Sequence, residues 1–460
     1  MSDSVPHELN EEAHMTAMRT PKRRHLLAAL GVTAVATLAL AGCAEGGGDE
    51  GDDGNIEGET VTIAGGITGI EAENMQKSFD AFTEETGVIV EYTGDKAFEG
   101  NIVTKVQGGD APDIAIVPQP GLLRTLVGTG EVEEAPAEVE ANVDENWSPD
   151  WKSYGTVDDV FYAAPMLANI KGYVWYSPAK FEEWGVEVPE TWDELLEISA
   201  TIAEASGGPS WCAGFFSEAA SGWPGTDWIE DLVLRQSGPE VYDQWIANEV
   251  EFTDPEIKEA FDAVGEILLN PEWVNAGFGN VASINDVAFA DVAAKVADGS
   301  CPMTHQASFL SANFLDVQTA EGATPNVAPD GDVYAFVLPG NEAGAATIEV
   351  GGEFVTLFSD DAATQAVAEY MSTPEWADIR VGLGGNISAN LNADPSLASS
   401  EFLTEAMTLL QDPNTTVRFD ASDLMPATVG SGSFWRGMVD WIDGKDTETV
   451  LSDIQTGYDD

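Results

Sequence analysis

Short apolar runs alternate with amphipathic stretches from residue 61 onward, and this alternation is typical of α/β proteins. The runs that predict strands are 61–64, 88–92, 113–117, 333–338 and 354–358, and two further strands, 162–165 and 172–176, are predicted to pair with each other. The stretches that predict helices are 71–85, 97–106, 191–202, 361–370, 399–410 and 434–442, with another helix beginning at Asp254-Pro255. Thr191 and Glu194 have the spacing of a capping box at a helix start.

The first 58 residues lack this alternation and indicate an export leader followed by a tether. Arg19 and the basic triplet 22–24 precede an apolar run, 26–40, that is too short to span a membrane. Leu40-Ala41-Gly42-Cys43 then matches the bacterial lipobox. We expect a lipoprotein signal peptide over 1–42 and a lipid on Cys43 that anchors the chain to the outer face of the cytoplasmic membrane. The alternative is a cleaved, secreted protein without lipid. The acidic, glycine-rich segment 43–58 is predicted to be a flexible tether.

The length and the net charge narrow the possible classes of protein. The chain has 460 residues, enough for two domains. It has 18 basic and 81 acidic residues, and its net charge of −63 repels phosphate, so no nucleic-acid partner is expected. The acidic run 49–53 is interrupted by glycine and lacks the spacing of a calcium loop, so no metal site is predicted. The Gly65-Gly66 turn lacks a dinucleotide fingerprint, and no cofactor is expected.

Tryptophans and carboxylates concentrate in one part of the chain, residues 209–231. They are Trp211, Trp223 and Trp228, together with Glu218, Asp227, Glu230 and Asp231. An aromatic ring covers the C–H face of a pyranose, and carboxylates accept charge-assisted hydrogen bonds from sugar hydroxyls. Trp223 is predicted to lie in a loop flanked by Gly and Pro, and packing in the core would not account for a large apolar ring at such a position. The stretch therefore indicates a sugar site, and the alternative is that its tryptophans belong to the core.

Three segments of the chain, PSWCAGF, GWPGTDWIEDLVLR and CPMTHQASF, carry a resemblance to a known family. They resemble the α-glucoside-binding lipoproteins of bacterial ABC importers, within the extracellular solute-binding family that includes the maltodextrin-binding proteins. The resemblance covers nearly all of 59–460 and implies a periplasmic-binding-protein fold, in which two α/β lobes enclose a ligand cleft at the carboxyl ends of the strands. It places interlobe crossings near Ala168, Gly352 and Asn386. The expected segments are 59–168 and 352–386 for lobe I, and 169–351 and 387–460 for lobe II.

The same resemblance implies a monomeric protein that is not an enzyme. It would capture an α-glucoside or related oligosaccharide and deliver it to the permease subunits of an ABC importer. One alternative is a surface-anchored glycosidase, which would also have tryptophans and paired carboxylates. Another is the same fold binding a polyol, an amino acid or another small solute. The export leader and the order of the segments favour a binding protein.

Candidate ligand-binding residues come from four sources. Glu71, Asp95 and Gln119 follow the first three predicted strands, although Glu71 and Asp95 could instead serve the starts of the next helices. Lys171 interrupts an apolar crossing and is expected to face the cleft. The tryptophan-rich stretch adds Asp227, and the resemblance adds Glu218, Trp223, His305, Gln306 and Trp435. For His305 the alternative is a structural role.

Cys212 and Cys301 are the cysteines that remain once Cys43 carries lipid. An exported protein folds in an oxidising compartment, so a disulfide between them is expected. Zinc binding is the weaker alternative, because His305 is the only nearby histidine.

Overall fold

A computed structural model describes residues 55–319, 322–344 and 347–459. The predicted signal peptide, Cys43 and most of the predicted tether lie outside these residues. The strands are β1 (Thr60–Gly65), β2 (Ile89–Gly94), β3 (Ile114–Val117), β4 (Thr156–Val157), β5 (Val160–Phe161), β6 (Ala163–Ile170), β7 (Tyr173–Tyr176), β8 (Trp211–Cys212), β9 (Val274–Asn275), β10 (Met303–His305), β11 (Tyr334–Val337), β12 (Thr347–Leu357) and β13 (Thr416–Phe419).

Helices surround these strands. They are α1 (Gly69–Lys77), α2 (Asp80–Thr86), α3 (Phe98–Gln107), α4 (Pro120–Val127), α5 (Ala137–Asn146), α6 (Pro149–Tyr154), α7 (Pro178–Trp184), α8 (Trp192–Ser206), α9 (Trp223–Gln236), α10 (Gly238–Ile246), α11 (Pro255–Leu268), α12 (Val292–Ala297), α13 (Leu310–Asn313), α14 (Ala362–Met371), α15 (Pro374–Leu383), α16 (Glu401–Gln411), α17 (Ala421–Leu424), α18 (Trp435–Ile442) and α19 (Thr447–Gln455). Within the described ranges, no helix is long and apolar enough to cross a bilayer.

The first sheet contains strands from both halves of the chain. Its order is β13-β12-β3-β1-β2, and β6 also pairs with β12. β1 runs parallel to β2 and β3, whereas β12 is antiparallel to β3 and β6. Every residue of β3 is buried, as expected for a strand covered on both faces. Pro120 follows it and opens α4, where a missing backbone N–H costs nothing. The parallel strands therefore bring their carboxyl ends to one edge of the sheet.

The second sheet has the order β11-β7-β10-β8-β9, and a separate hairpin joins β4 to β5. β7 is antiparallel to both β10 and β11, and β8 lies parallel to β10 and β9. A disulfide joins Cys212 of β8 to Cys301, just before β10, with the two Cα atoms 5.7 Å apart. The cysteines are 89 residues apart in sequence, so this bond closes a long loop beside the second sheet.

The pairing predicted between 162–165 and 172–176 is wrong. β6 pairs with β12 in the first sheet, and β7 pairs with β10 and β11 in the second. Lys171 and Gly172 carry the chain from one sheet to the other. A Cβ at Gly172 would lie 2.1 Å from an Asp231 carboxylate oxygen, so only glycine allows this close approach.

The helix predicted over 71–85 is two helices, α1 and α2. Its interruption lies at Ser78, whose hydroxyl donates to the carbonyl oxygen of Met75 over 2.7 Å. The same hydroxyl accepts a hydrogen bond from the Trp376 indole N–H over 3.1 Å. Serine hydroxyls that bond back to the preceding turn bend helices, which accounts for the break. The capping box predicted at Thr191 and Glu194 is present at the start of α8.

Two buried hydrophobic clusters form the core. One includes Ile63, Ile116 and Val355 of the first sheet, and the other includes Trp228 of α9 and Trp441 of α18. The first cluster also includes Trp175 and Cys212 of the second sheet, so the clusters do not follow the two sheets, and the predicted lobe boundaries stay a prediction. Strand β13 lies in the segment 387–460 assigned to lobe II, yet it pairs with β12 in the first sheet.

Candidate ligand-binding site

A cavity of about 390 Å³ is lined by residues from both parts of the fold. The loops after β1, β2 and β3 contribute to it, and so do the crossing strands β6 and β12. The remaining lining comes from residues 216–223, 288–290, 309–316, 420–423 and Trp435. The cavity thus lies at the carboxyl ends of the parallel strands, where ligands bind in open α/β sheets.

Six of the predicted ligand-binding residues line this cavity. They are Glu71, Gln119, Lys171, Glu218, Trp223 and Trp435. Gln119 is buried at the start of α4, whereas Glu218 is exposed and opens a short 3₁₀ turn. The lining therefore combines hydrogen-bonding groups with two indole rings.

Trp223 begins helix α9, so the loop predicted around it is wrong. Gly222 caps the helix with a φ of 108°, and Pro224 occupies its first turn, where proline is well tolerated. The Trp223 ring lies edge-on to Phe289 with ring centroids 4.9 Å apart, and Phe309 is 5.9 Å away. The Nζ atom of Lys171 lies 5.2 Å from the Trp223 ring centroid, within cation–π distance. Its neighbours fix the ring in place, and part of it remains exposed.

Trp435 begins helix α18 and is only 6% exposed. Its indole N–H has no hydrogen-bond partner among the described residues. The backbone of Gly222 packs directly against Trp435, and a Cβ at Gly222 would lie 2.2 Å from the Trp435 carbonyl oxygen. Glycine at this position therefore brings the start of α9, with Trp223, next to the start of α18. A buried indole N–H beside a cavity is available to a ligand acceptor.

Two half-buried carboxyl groups, Glu71 of α1 and Glu353 of β12, line the cavity. Glu353 lies on β12 at a register shift between Glu353 and Phe354, and such irregularities re-aim side chains. Burial raises the pKa of each carboxyl to about 7, although the positive charge of Arg380 opposes this rise. Near neutral pH both groups are therefore partly protonated, so each can donate or accept a hydrogen bond to a hydroxyl.

Lys171 is buried at the crossing and holds an ion-pair network. Its Nζ atom lies 3.1 Å from Oδ1 of Asp227 and 2.7 Å from Oδ2 of Asp420. Burial disfavours the ammonium, but the two carboxylates outweigh it and raise the pKa of Lys171 well above its usual value. Asp227 belongs to α9 and Asp420 follows β13, so the lysine joins elements from both parts of the fold.

Asp95 and Asp227, two of the predicted site residues, do not line the cavity. Oδ1 of Asp95 accepts a hydrogen bond from the backbone N–H of Ala97 over 2.9 Å, just before α3. Asp95 thus serves the start of that helix, which was the alternative considered for it. Asp227 is 2% exposed and engaged with Lys171 beneath the lining.

His305 and Gln306 also lie outside the lining, next to a second, small cavity of about 10 Å³. Nε2 of His305 is 3.6 Å from a carboxylate oxygen of Asp231, and its ring centroid is 4.4 Å from that of Trp228. Burial lowers the pKa of His305, so the imidazole is neutral at pH 7. The Gln306 side chain accepts a hydrogen bond from the N–H of Ala307 over 2.8 Å. Neither residue lines the larger cavity, and their predicted contacts with a ligand stay a prediction.

Several cavity residues escaped the sequence analysis. They are Lys96, Glu99, Asn169, Phe216, Phe289, Phe309, Asn313, Asp316, Glu353, Asp420, Ser422 and Asp423. Asn169 could have been found, because it interrupts the same apolar crossing as Lys171. The acidic residues could not, because carboxylates occur throughout this sequence.

Comparison with known proteins gives a match to one protein family. Residues 68–378 match the family described as bacterial extracellular solute-binding protein. The chain is 33% identical to the osmoprotective compounds-binding protein GgtB of Synechocystis sp., over 92% of this chain and 97% of the relative. It is also 33% identical to the alpha-glucosides-binding periplasmic protein AglE of Rhizobium meliloti, over 88% of each chain.

Solved structures share the fold at low sequence identity. The solute receptor AcbH, described as preferring β-D-galactopyranose, superposes with a TM-score of 0.71 at 18% identity, covering 87% of this chain and 99% of AcbH. RafE in complex with raffinose superposes with a TM-score of 0.66 at 19% identity, covering 87% of this chain and 98% of RafE. These similarities are evidence for the two-lobed periplasmic-binding-protein fold.

Proposed function

The chain belongs to the bacterial extracellular solute-binding protein family, and we propose that its cavity captures an α-glucoside or a closely related small sugar. The observation that carries the proposal is the combination of two indole rings, Trp223 and Trp435, with carboxyl groups in one cavity. The rings supply apolar surface for the C–H face of a pyranose, and the carboxyls supply hydrogen bonds to hydroxyls. Proteins of this family serve ABC importers, so the captured sugar would pass to a permease.

The size of the cavity favours a small ligand. Ligand pockets commonly measure roughly 300–1,000 Å³. At about 390 Å³ this cavity lies at the lower end of that range, which suits one or two sugar rings better than a long oligosaccharide. The two relatives named above bind alpha-glucosides and osmoprotective compounds according to their descriptions, and both classes include small solutes.

The charge of the cavity argues against an anionic ligand. Its lining includes seven carboxyl side chains and two lysines, Lys96 and Lys171. Lys171 is already paired with Asp227 and Asp420, so it offers little charge to a ligand carboxylate or phosphate. A neutral polyhydroxylated ligand makes use of carboxyl acceptors without such repulsion.

We propose binding without hydrolysis as the whole of the chemistry. A surface glycosidase would also present carboxyl groups, but the relatives that span most of this chain are described as binding proteins. Incubation with 4-nitrophenyl α-glucoside distinguishes the two activities, because only an enzyme releases nitrophenol. Sustained release that requires the carboxyl groups of the cavity would replace the binding proposal with the glycosidase alternative.

The direct test is calorimetry on the purified protein with trehalose, sucrose, maltose and methyl α-glucoside, and with sorbitol as a polyol. We expect one-to-one binding of at least one α-glucoside. A ligand at 100 times its Kd also stabilises a protein by about 2.7 kcal/mol, so melting curves provide a second readout. Binding of sorbitol but of none of the glucosides would change the ligand class, and no binding of any of them would overturn the proposal.

We also propose that a lipid on Cys43 anchors the mature chain, as a monomer, to the outer face of the cytoplasmic membrane. The lipobox sequence at 40–43 supports this anchor. Two acyl chains bind a membrane stably where a single chain does not. Substitution of Cys43 by serine should move the protein from the membrane fraction to the soluble fraction. A variant that remains fully membrane-bound would refute the lipid anchor and leave the sugar-binding proposal unaffected.

A further inference from the structure

One side of the cavity is formed by apolar residues from three separate segments. These residues, called the apolar wall, are Phe216, Ala288, Phe289, Ala290 and Phe309. The ring centroids of Phe289 and Phe309 lie 5.9 Å apart, and both rings pack against Trp223, on which we expect the sugar to stack. The apolar wall therefore continues the sugar site. From this arrangement we propose that the ligand is an α-glucoside whose aglycone is apolar and about the size of one aromatic ring. The inference rests on the proposed function and specifies the group attached to the sugar.

Phe216 is the most exposed residue of the apolar wall. It is 42% exposed and lines the cavity. Its backbone N–H donates to the carbonyl oxygen of Val287 over 3.0 Å, and an isolated β-bridge to Ala288 holds it beside the rest of the wall. Single exposed apolar residues are common on protein surfaces, but this one belongs to a ligand cavity. Burial of apolar surface favours association, so an apolar ligand group that covers Phe216 adds affinity.

The loop that carries Phe216 has a fixed backbone. The N–H of Gly222 donates to the carbonyl oxygen of Phe215 over 3.0 Å and closes the loop. Within it, Glu218 has a φ of 51°, in the left-handed region. Residues other than glycine rarely adopt this conformation, and they keep it only where the surrounding structure imposes it. The position of Phe216 is therefore set before a ligand arrives, which lowers the entropic cost of covering its ring.

Sugar hydroxyls would find few hydrogen-bond partners along the apolar wall. Its phenylalanine and alanine side chains contain no polar atom. The carbonyl oxygen of Ala288 already accepts a hydrogen bond from the N–H of Asp291 over 3.0 Å, and that of Phe309 accepts one from Ala312 over 2.9 Å. A buried hydroxyl without a partner is costly, whereas an aromatic ring needs none and can pack edge-on against other rings. The wall therefore favours an apolar group over a second sugar ring.

Groups suited to sugar hydroxyls come from other elements of the cavity. Gln119 follows β3, Asn169 belongs to β6 and Glu353 belongs to β12, which are all strands of the first sheet. The apolar wall contains no residue of that sheet. A cavity of about 390 Å³ with this division suits a ligand that has one hydroxylated ring and one apolar ring. An α-glucoside with a phenyl-sized aglycone is such a ligand.

The test is calorimetry with methyl α-glucoside and phenyl α-glucoside, which share the sugar and its linkage and differ in the aglycone. The unmodified protein should bind the phenyl glucoside about tenfold more tightly, since one favourable aromatic pair contributes up to about tenfold in Kd. In Phe216→Ala the ratio of the two Kd values should fall to near one. Phe278→Ala is the matched control, because Phe278 is 54% exposed and does not line the cavity. This control should keep the tenfold ratio.

The other outcomes separate this inference from the proposed function. Equal affinity of the unmodified protein for the two glucosides would overturn the inference and leave sugar binding established, and this measurement needs no variant. Maltose tests whether a second sugar ring occupies the apolar wall. If Phe216→Ala weakens maltose binding as much as phenyl α-glucoside binding, the wall is a sugar subsite and the inference is wrong. Binding of none of the three ligands would refute the proposed function and the inference with it.

Discussion

Substitution of Trp223 by alanine should weaken sugar binding strongly and destabilise the protein only moderately. Truncating a large aromatic anchor at the centre of a binding site typically costs more than about 2 kcal/mol, which is roughly thirtyfold in Kd. Trp223 meets this description because its ring lines the cavity and remains partly exposed in the unliganded protein. A sugar that stacks on the ring would cover this exposed part.

The effect on stability can be worked out from the neighbours of the ring. Phe289 and Phe309 lie within 6 Å of it, and aromatic pairs contribute about 0.5–1.5 kcal/mol each. The Lys171 ammonium, 5.2 Å away, adds on the order of 0.5–1 kcal/mol. Together these contacts predict a loss of about 1.5–4 kcal/mol in the free energy of unfolding. A domain that stays folded after this loss can still be assayed for binding.

Trp184 provides a matched control. It is also a half-buried tryptophan with a lysine over its ring, since Nζ of Lys180 lies 5.9 Å from its centroid, but it does not line the cavity. Calorimetry with the best α-glucoside and urea unfolding should be run on Trp223→Ala and Trp184→Ala together. We expect both variants to lose stability and only Trp223→Ala to lose affinity. Unchanged affinity in Trp223→Ala would refute the stacking role, and equal losses of affinity in both would show a general effect of destabilisation.

Three further predictions follow from the buried network, the cavity acids and the disulfide. Lys171→Met leaves buried carboxylates unpaired and should lower the unfolding free energy in urea by about 3–5 kcal/mol, whereas Lys152→Met, which breaks partly exposed pairs, should lower it by at most about 1 kcal/mol. Burial raises the pKa of Glu353 from 4.5 to about 7, so the folded state binds this proton more tightly than the unfolded state does. The contribution of Glu353 to the free energy of unfolding therefore falls as the pH rises from about 4.5 to 7. The free energy of unfolding of Glu353→Gln should depend less steeply on pH over this range, and identical slopes in the two proteins would contradict the assignment. The double variant Cys212→Ala/Cys301→Ala should lose about 4–5 kcal/mol by loop-closure entropy, and an unchanged urea midpoint would argue against that origin.

Local pattern was sufficient to predict much of the fold. The apolar run of β3 is bounded by prolines, and α8 begins at a capping box, so both elements could be read from short segments. The pairing of β6 and β7 could not be, because two consecutive strands usually pair, whereas here the chain changes sheets at Gly172, which lies close to Asp231. That contact joins residues far apart in the sequence.

The candidate site likewise contains residues that could be predicted from the sequence and residues that could not. Lys171 was recognisable because a lysine in an apolar run has to face either a cavity or a partner, and here it does both. His305 was placed in the cleft from the resemblance, but it lies on β10, a strand paired on both sides and covered on both faces. On such a strand a polar side chain can lie in the interior just as a methionine does, and His305 is buried there with its ring beside that of Trp228. Neither spacing nor residue type distinguishes these environments.

At the crossing between the two sheets, the ammonium of Lys171 lies among several buried carboxylates. Asp227 reaches the ammonium from helix α9, and Asp420 reaches it from the end of β13. A buried ion pair adds little stability compared with apolar residues of the same volume, but it tolerates only one arrangement of its partners. The ammonium also lies near the ring of Trp223, so the wall on which we expect the sugar to stack is positioned by helix α9 and by the segment after β13. The charges at this point therefore serve to fix the geometry of the cavity, and their cost in stability is consistent with that role.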